Sequence, residues 1–156
     1  MRIALGADHA GFKLKEAVKK LLDERRITYT DFGTTSDASV DYPDYAARVA
    51  AGVSSGAFDR GILACGTGIG MAIAANKFPH VRAAPVVELD SARLSRQHND
   101  ANVLALAARL TPEDAALDIV NAFLDTPFDG GRHQRRVDKI AALECSPTGE
   151  ARREGE

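Results

Sequence analysis

The chain has 156 residues, 45% of them hydrophobic and 27% charged, which suits one domain with a full-sized core. A formal net charge of -2 excludes the basic global field that draws nucleic acid. Two cysteines, Cys65 and Cys145, form neither a disulfide framework nor a zinc spacing, and no apolar run reaches signal-peptide or membrane-spanning length, so a reducing cytoplasm is the expected setting.

Strand-like and helix-like segments alternate. Arg2 to Ala7 reads as a first strand, and Leu14, Ala17, Val18, Leu21 and Leu22 follow at helical spacing. Ile27 to Phe32 is β-rich and ends at Gly33. Asp37 to Asp44 is turn-rich, with Pro43 suited to open a helix that runs to about Ser55. Gly61 to Cys65 predicts the third strand, Ile69 to Phe78 the third helix and Val81 to Val87 the fourth strand. Asp90 to Asn99 reads as helix and Val103 to Ala107 as a short fifth strand. Thr111-Pro112-Glu113-Asp114 is a helix start, with Thr111 as cap and acids against the dipole. Ala116, Ile119, Val120, Phe123 and Leu124 make its buried stripe, Gly130-Gly131 breaks it, and a last helix follows from Arg132 to about Leu143. Residues 146–156 are polar and unpatterned, which predicts a tail after a single domain over 1–145.

Five β-α repeats predict an α/β fold: a single-domain, Rossmann-like three-layer α/β/α sandwich on a five-stranded parallel sheet, with an added C-terminal helix. The expected strand order is 2-1-3-4-5. Ligands of such sheets bind beyond the carboxyl ends of the strands, at the switch point between the first and third. Ala7-Asp8-His9 and Cys65-Gly66-Thr67 fall there.

Arg60 to Asn76, RGILACGTGIGMAIAAN, is the most informative stretch. Gly66, Gly68 and Gly70 let backbone N–H groups converge on an anion, and the following helix start adds partial positive charge. A cysteine beside that nest either fills the core or acts as a thiolate, and the setting favours the thiolate. The loop is not a Walker loop, because no Gly-Lys-Ser/Thr follows. As a dinucleotide fingerprint it is poor, since Met71 stands where the third glycine belongs, although Glu88 and Asp90 lie at the distance of a ribose-binding acid. Asp8 and His9 serve either a turn or a ligand. His98 either complements a helix dipole or shuttles protons. Arg132 and Arg136, four apart on one helix face, are either a solvated face or a phosphate fork, and Arg135 points elsewhere. Cys145 stands near the tail with no partner.

On these segments the chain resembles the type B ribose-5-phosphate isomerases and the galactose-6-phosphate isomerase subunits. The segments are GADHAGFKLK at 6–15, DYPDYA at 41–46, GILACGTGIGMAIAANK at 61–77, RLSRQHNDANVLAL at 93–106 and GGRHQRRV at 130–137. The resemblance implies aldose–ketose isomerisation of a sugar phosphate with no metal and no organic cofactor. It implies Cys65 as the base on the carbon beside the carbonyl, Thr67 assisting, and the amides of Gly66, Thr67, Gly68, Ile69 and Gly70 holding the enediolate oxygen. It implies His98 as the ring opener, Asp8 and Asn99 on sugar hydroxyls, His9, Arg109, Arg132 and Arg136 on the phosphate, and Tyr42 lining the pocket. It also implies a homodimer or tetramer whose sites are shared between chains, and neither nucleic acid nor membrane as partner. Some family members carry a glutamate base instead; Cys65 places this chain on the cysteine branch. Ribose 5-phosphate and ribulose 5-phosphate lead as substrates. A tetrose or hexose phosphate is the alternative, because APVVELD at 84–90 departs from the family pattern near the loop. A nucleotide-binding module remains a distant alternative. A phosphorelay receiver would need an aspartate where Cys65 stands.

Overall fold

The computed structural model describes residues 1–144; Cys145 and the predicted tail at 146–156 lie outside the described residues. Its elements run β1 (Arg2–Ala7), α1 (Phe12–Glu24), β2 (Thr28–Asp31), α2 (Tyr42–Ser54), β3 (Arg60–Cys65) and α3 (Ile69–Ala75). Then come β4 (Ala83–Val86), α4 (Leu89–Asn99), β5 (Val103–Ala107), α5 (Glu113–Asp125) and α6 (Arg132–Glu144). Every strand pair is parallel.

Side chains of the three inner strands alternate between two cores, as a sheet covered on both faces requires. Ile3, Leu5, Ile62, Leu104 and Leu106 face one side, where Val18 and Leu22 of α1 and Ile119 and Phe123 of α5 cover them. Ala4, Leu63, Cys65, Val103 and Ala105 face the other, beneath Val49 and Ala50 of α2 and Met71 and Ala75 of α3. Each fully buried Leu or Ile contributes about 2 kcal/mol of transfer free energy. The result is the expected three-layer sandwich, with α6 packed outside it on α4.

The strand order is β2-β1-β3-β5-β4, not the expected 2-1-3-4-5. β5 takes the inner place and β4 the edge. The physical reason lies in two short sequences. All five residues of β5, VLALA, are buried, whereas β4 is AAPV with only Val86 buried. Proline cannot donate to a ladder, so Pro85 is tolerated only where one side of the strand is unpaired. Asn76 covers part of that edge: its side-chain amide donates to the Ala83 carbonyl (2.9 Å) and accepts the Ala83 N–H (2.8 Å). The exchange leaves β1 beside β3, so the switch point stands. It does move segment 84–90 outward by one strand, since β5 now separates β4 from β3.

The start of α5 also differs from expectation. Thr111 makes no capping bond, and Pro112 occupies the cap position. Thr111 is buried, and its hydroxyl oxygen has no hydrogen-bond partner among the described residues. Among those residues, no helix is long and apolar enough to cross a membrane.

Candidate active site

β1 and β3 end side by side at the switch point. The Asp8 N–H donates to the Ala64 carbonyl at 3.3 Å, which ties the two strand ends together. Asp8 is 5% exposed, and its Oδ1 accepts the Gly11 N–H at 2.9 Å. That turn needs glycine, since a Cβ at Gly11 would stand 2.1 Å from the Ala64 carbonyl oxygen. The start of α1 can therefore lie directly against the end of β3. His9 Nδ1 accepts the Val40 N–H at 3.2 Å, so its hydrogen belongs on Nε2 and that nitrogen is the donor.

Cys65 closes β3, buried on the α2 and α3 side. Its Sγ accepts the Gly68 N–H at 3.1 Å. Gly68 has φ +74°, and a Cβ there would lie 2.8 Å from the Ala105 carbonyl oxygen, so glycine is required twice over. Thr67 is exposed, and its hydroxyl accepts the Ile69 N–H at 3.4 Å. The Tyr42 ring lies on the backbone at Gly70, where a Cβ would come within 2.7 Å of two ring carbons. Arg109 lies across Gly66, with its side chain 3.2–3.4 Å from where a Cβ would stand, and its N–H donates to the Gly66 carbonyl at 3.0 Å. One chain thus gathers Asp8, His9, Tyr42, Cys65, the 66–70 loop and Arg109 at the carboxyl end of the sheet.

The remaining predicted residues gather at the opposite end. α4 runs back from the carboxyl edge, so His98 and Asn99 finish near the amino ends of β4 and β5. There Arg82, just before β4, donates to the Asn99 carbonyl at 3.1 Å. The Asp129 N–H donates to the Gln97 carbonyl at 3.1 Å and brings the start of α6 alongside. His98 stacks on His133, with ring centroids 4.3 Å apart and planes 5° from parallel. Arg132 and Arg136 are exposed on the first turns of α6. Five residues of β5 separate the two groups, roughly 16 Å at strand rise.

Donor atoms of His98, Asp129 and His133 lie within 4.8 Å of one another, close enough to consider a metal. The geometry suits one poorly. Parallel rings direct their in-plane lone pairs side by side rather than at one point. Arg132 donates to His133 Nε2 at 3.4 Å. Burial, His98 and the Arg132 and Arg136 guanidiniums together hold His133 below the ordinary histidine range. Two guanidiniums and two imidazoles meet one carboxylate, Asp129, at this corner. An apolar cavity of about 740 Å³ lies between α3, β4, α4 and the end of α6, lined by Phe78, Val81, Ile140 and Leu143, and holds none of the Cys65 group.

Three features escaped sequence reasoning. Lys15 is 1% exposed, with Nζ 2.6 Å from Asp31 Oδ2 and 2.8 Å from the Thr34 carbonyl. This bridge holds the loop after β2, which continues to the Val40 amide on His9. A signal existed: Lys15 shares the i, i+3, i+7 stripe with Val18 and Leu22. The Val40 amide and the His98–His133 stack left no local signature.

Residues 3–140 match the model of a family described as Ribose/Galactose Isomerase. Ribose-5-phosphate isomerase B of Escherichia coli (strain K12) is 50% identical over 143 residues, covering 92% of this chain and 96% of that protein. The structure of ribose-5-phosphate isomerase B from Clostridium thermocellum superposes with a TM-score of 0.91 at 51% identity, covering 92% of this chain and 97% of the other. That of Mycoplasma genitalium, with bound ribulose-5-phosphate, gives 0.89 at 44% identity, covering 92% and 95%. With residues 3–140 matched to the family model and its fold and length shared with these proteins, the chain belongs to the ribose/galactose isomerase family.

Proposed function

We propose that the protein interconverts ribose 5-phosphate and ribulose 5-phosphate through an enediolate, with Cys65 as base and His98 as ring opener. The observation that carries this reading is Cys65 Sγ, buried and facing the Gly68 N–H at the end of the sheet where Asp8, Tyr42 and Arg109 also stand. His98 passes a proton to the furanose ring oxygen while the anomeric hydroxyl gives one up, which opens the aldose. The Cys65 thiolate takes the proton from C2, and the electron pair moves to form the enediolate. Negative charge on oxygen is met by N–H groups of the 66–70 loop and the first turn of α3, which have no partner within the helix. A proton passes from O2 to O1 of the enediolate, and the thiol returns its proton to C1, giving the ketose. Thr67 assists beside the sulfur, and Asp8 and Asn99 take sugar hydroxyls. His9, Arg109, Arg132 and Arg136 hold the phosphate, which does no chemistry but fixes the reacting carbon against the sulfur. The sequence and relatives support this reading, and no residue in the scheme calls for a metal or organic cofactor. Turnover of ribose 5-phosphate by the purified protein is the direct test; no ketose formed would redirect the reading to four- and six-carbon sugar phosphates.

Because His98 and Cys65 lie at opposite ends of one sheet, each site takes His98, Asn99, Arg132 and Arg136 from a second copy. Mixing Cys65→Ala with His98→Ala protein is expected to restore activity, toward about a quarter of wild type if subunits pair at random in a two-fold dimer. Activity that stays at the level of the separate variants would place the whole site in one chain.

Arg136→Ala is expected to raise KM about 30-fold with little change in kcat, as loss of about 2 kcal/mol of phosphate binding implies. A steady-state comparison at fixed ionic strength checks it, and an unchanged KM removes Arg136 from the phosphate site.

A further inference from the structure

His133 has no place in the scheme above, yet the fold takes care over it. It is 7% exposed on the first turn of α6. Gly130 and Gly131, at φ +64° and +53°, reverse the chain, and the His133 N–H closes onto the Gly130 carbonyl at 3.0 Å. The same loop is pinned to α4 by the Asp129 N–H on the Gln97 carbonyl. Two helices and a glycine turn thus deliver one imidazole flat against another, 4.3 Å away.

The groups that face His133 are His98 from α4, Asp129 from the loop, and Arg132 and Arg136 from its own helix. Arg132 Nε–H donates to its Nε2 at 3.4 Å, which makes that nitrogen an acceptor and the ring neutral. A neutral ring walled in by two guanidiniums and a second histidine is poorly placed to exchange protons with substrate. What it offers His98 is a flat face.

We propose that His133 is a positioning residue for His98, a neutral platform that fixes the plane of the ring-opening imidazole. The proposal rests on the reading of His98 given above. Proton transfer to the furanose oxygen needs the imidazole nitrogen in line, and small misplacements of a reacting group are costly in rate. His98 stands on the last turn of α4, so its backbone alone leaves the ring free to turn. The stack removes that freedom.

Ribose 5-phosphate must be opened before its C2 proton can be taken. Ribulose 5-phosphate cannot close to a furanose, because its O5 carries the phosphate. Exchange of its C1 hydrogen with deuterium from D2O therefore needs Cys65 but no ring opener. His133→Phe keeps a flat ring and loses the acceptor; His133→Gln keeps an acceptor and loses the ring. His133→Gln is expected to lower kcat for ribose 5-phosphate about 30-fold, with KM and the C1 exchange rate within about three-fold of wild type. His133→Phe is expected to stay within about three-fold of wild type in all three. Overturning results are Gln active and Phe impaired, both at wild-type rate, or both losing isomerisation and exchange together. His98→Ala, run alongside, separates the two readings. If it turns over ribose 5-phosphate normally, the role of His98 falls and the platform with it. If it is impaired while His133→Gln is not, the platform alone falls.

Discussion

Cys65→Ser is expected to lower kcat about 10³-fold, the middle of the range for a general base, while thermal unfolding stays close to wild type. The two side chains differ by one atom. Either can accept the Gly68 N–H, and either fits the buried end of β3, so the fold has no reason to change. What changes is basicity: near neutral pH an alcohol carries almost no oxyanion, whereas a thiol carries useful thiolate. The same loss is expected in deuterium exchange at C1 of ribulose 5-phosphate, because that half-reaction uses the base directly. Steady-state kinetics beside a melting curve makes the check. Wild-type turnover in the serine variant would mean that another group takes the proton.

Asp31→Ala is expected to destabilise the fold by about 3 kcal/mol, because it leaves the Lys15 ammonium buried without its closest counter-charge. Glu16 Oε1 at 3.2 Å and the Thr34 carbonyl at 2.8 Å soften the loss. Burial alone would raise the Asp31 carboxyl. Hydrogen bonds from Lys15, the Gly33 N–H and Lys19 outweigh it and hold Asp31 below the ordinary carboxylate value. Between the folded value and the unfolded one, near pH 4, the unfolded chain binds the extra proton, so stability rises with pH. The contribution is complete above that window and is lost as pH falls through the folded value. Urea titrations at pH 7 and pH 3 should therefore show a smaller gap between the variant and wild type at pH 3. A gap that does not narrow would mean that the carboxylate charge is not what holds Lys15. Because this bridge secures the loop that carries Val40 to His9, KM should rise in the same variant.

Much of this was legible along the chain, for physical reasons that can be named. Gly61–Cys65 reads as strand because an apolar run ends at glycines, and Leu14, Val18 and Leu22 read as helix because their spacing matches its turn. The order of β4 and β5 turned on the wholly apolar VLALA of β5 and on Pro85 of β4, whose consequence depends on which neighbour it would have to bond. Thr111 has the composition of a cap, yet its hydroxyl caps nothing, since cap geometry is settled by the packing of the turn. Of the candidate site, the Cys65 loop was readable because its parts are contiguous. That His98 lies at the other end of the sheet follows from the direction in which α4 runs, a property of topology that no spacing displays. Lys15 was hidden by its type: a lysine on a buried stripe is paired or absent, and its partner stands sixteen residues away.

The edge position of β4 bears on how the protein behaves at high concentration. Along an outer strand, residues two apart turn their backbone groups the same way. Ala83 and Pro85 are such a pair, and neither offers a free donor: the Asn76 side chain occupies the Ala83 N–H and carbonyl, and Pro85 has no N–H. A foreign strand approaching this border would find a short template with its donors spent or missing, which is how natural sheets resist edge-to-edge aggregation. Crowding can press copies together through helices and loops, but an incoming strand meets no free donor at Ala83 or Pro85 on this side.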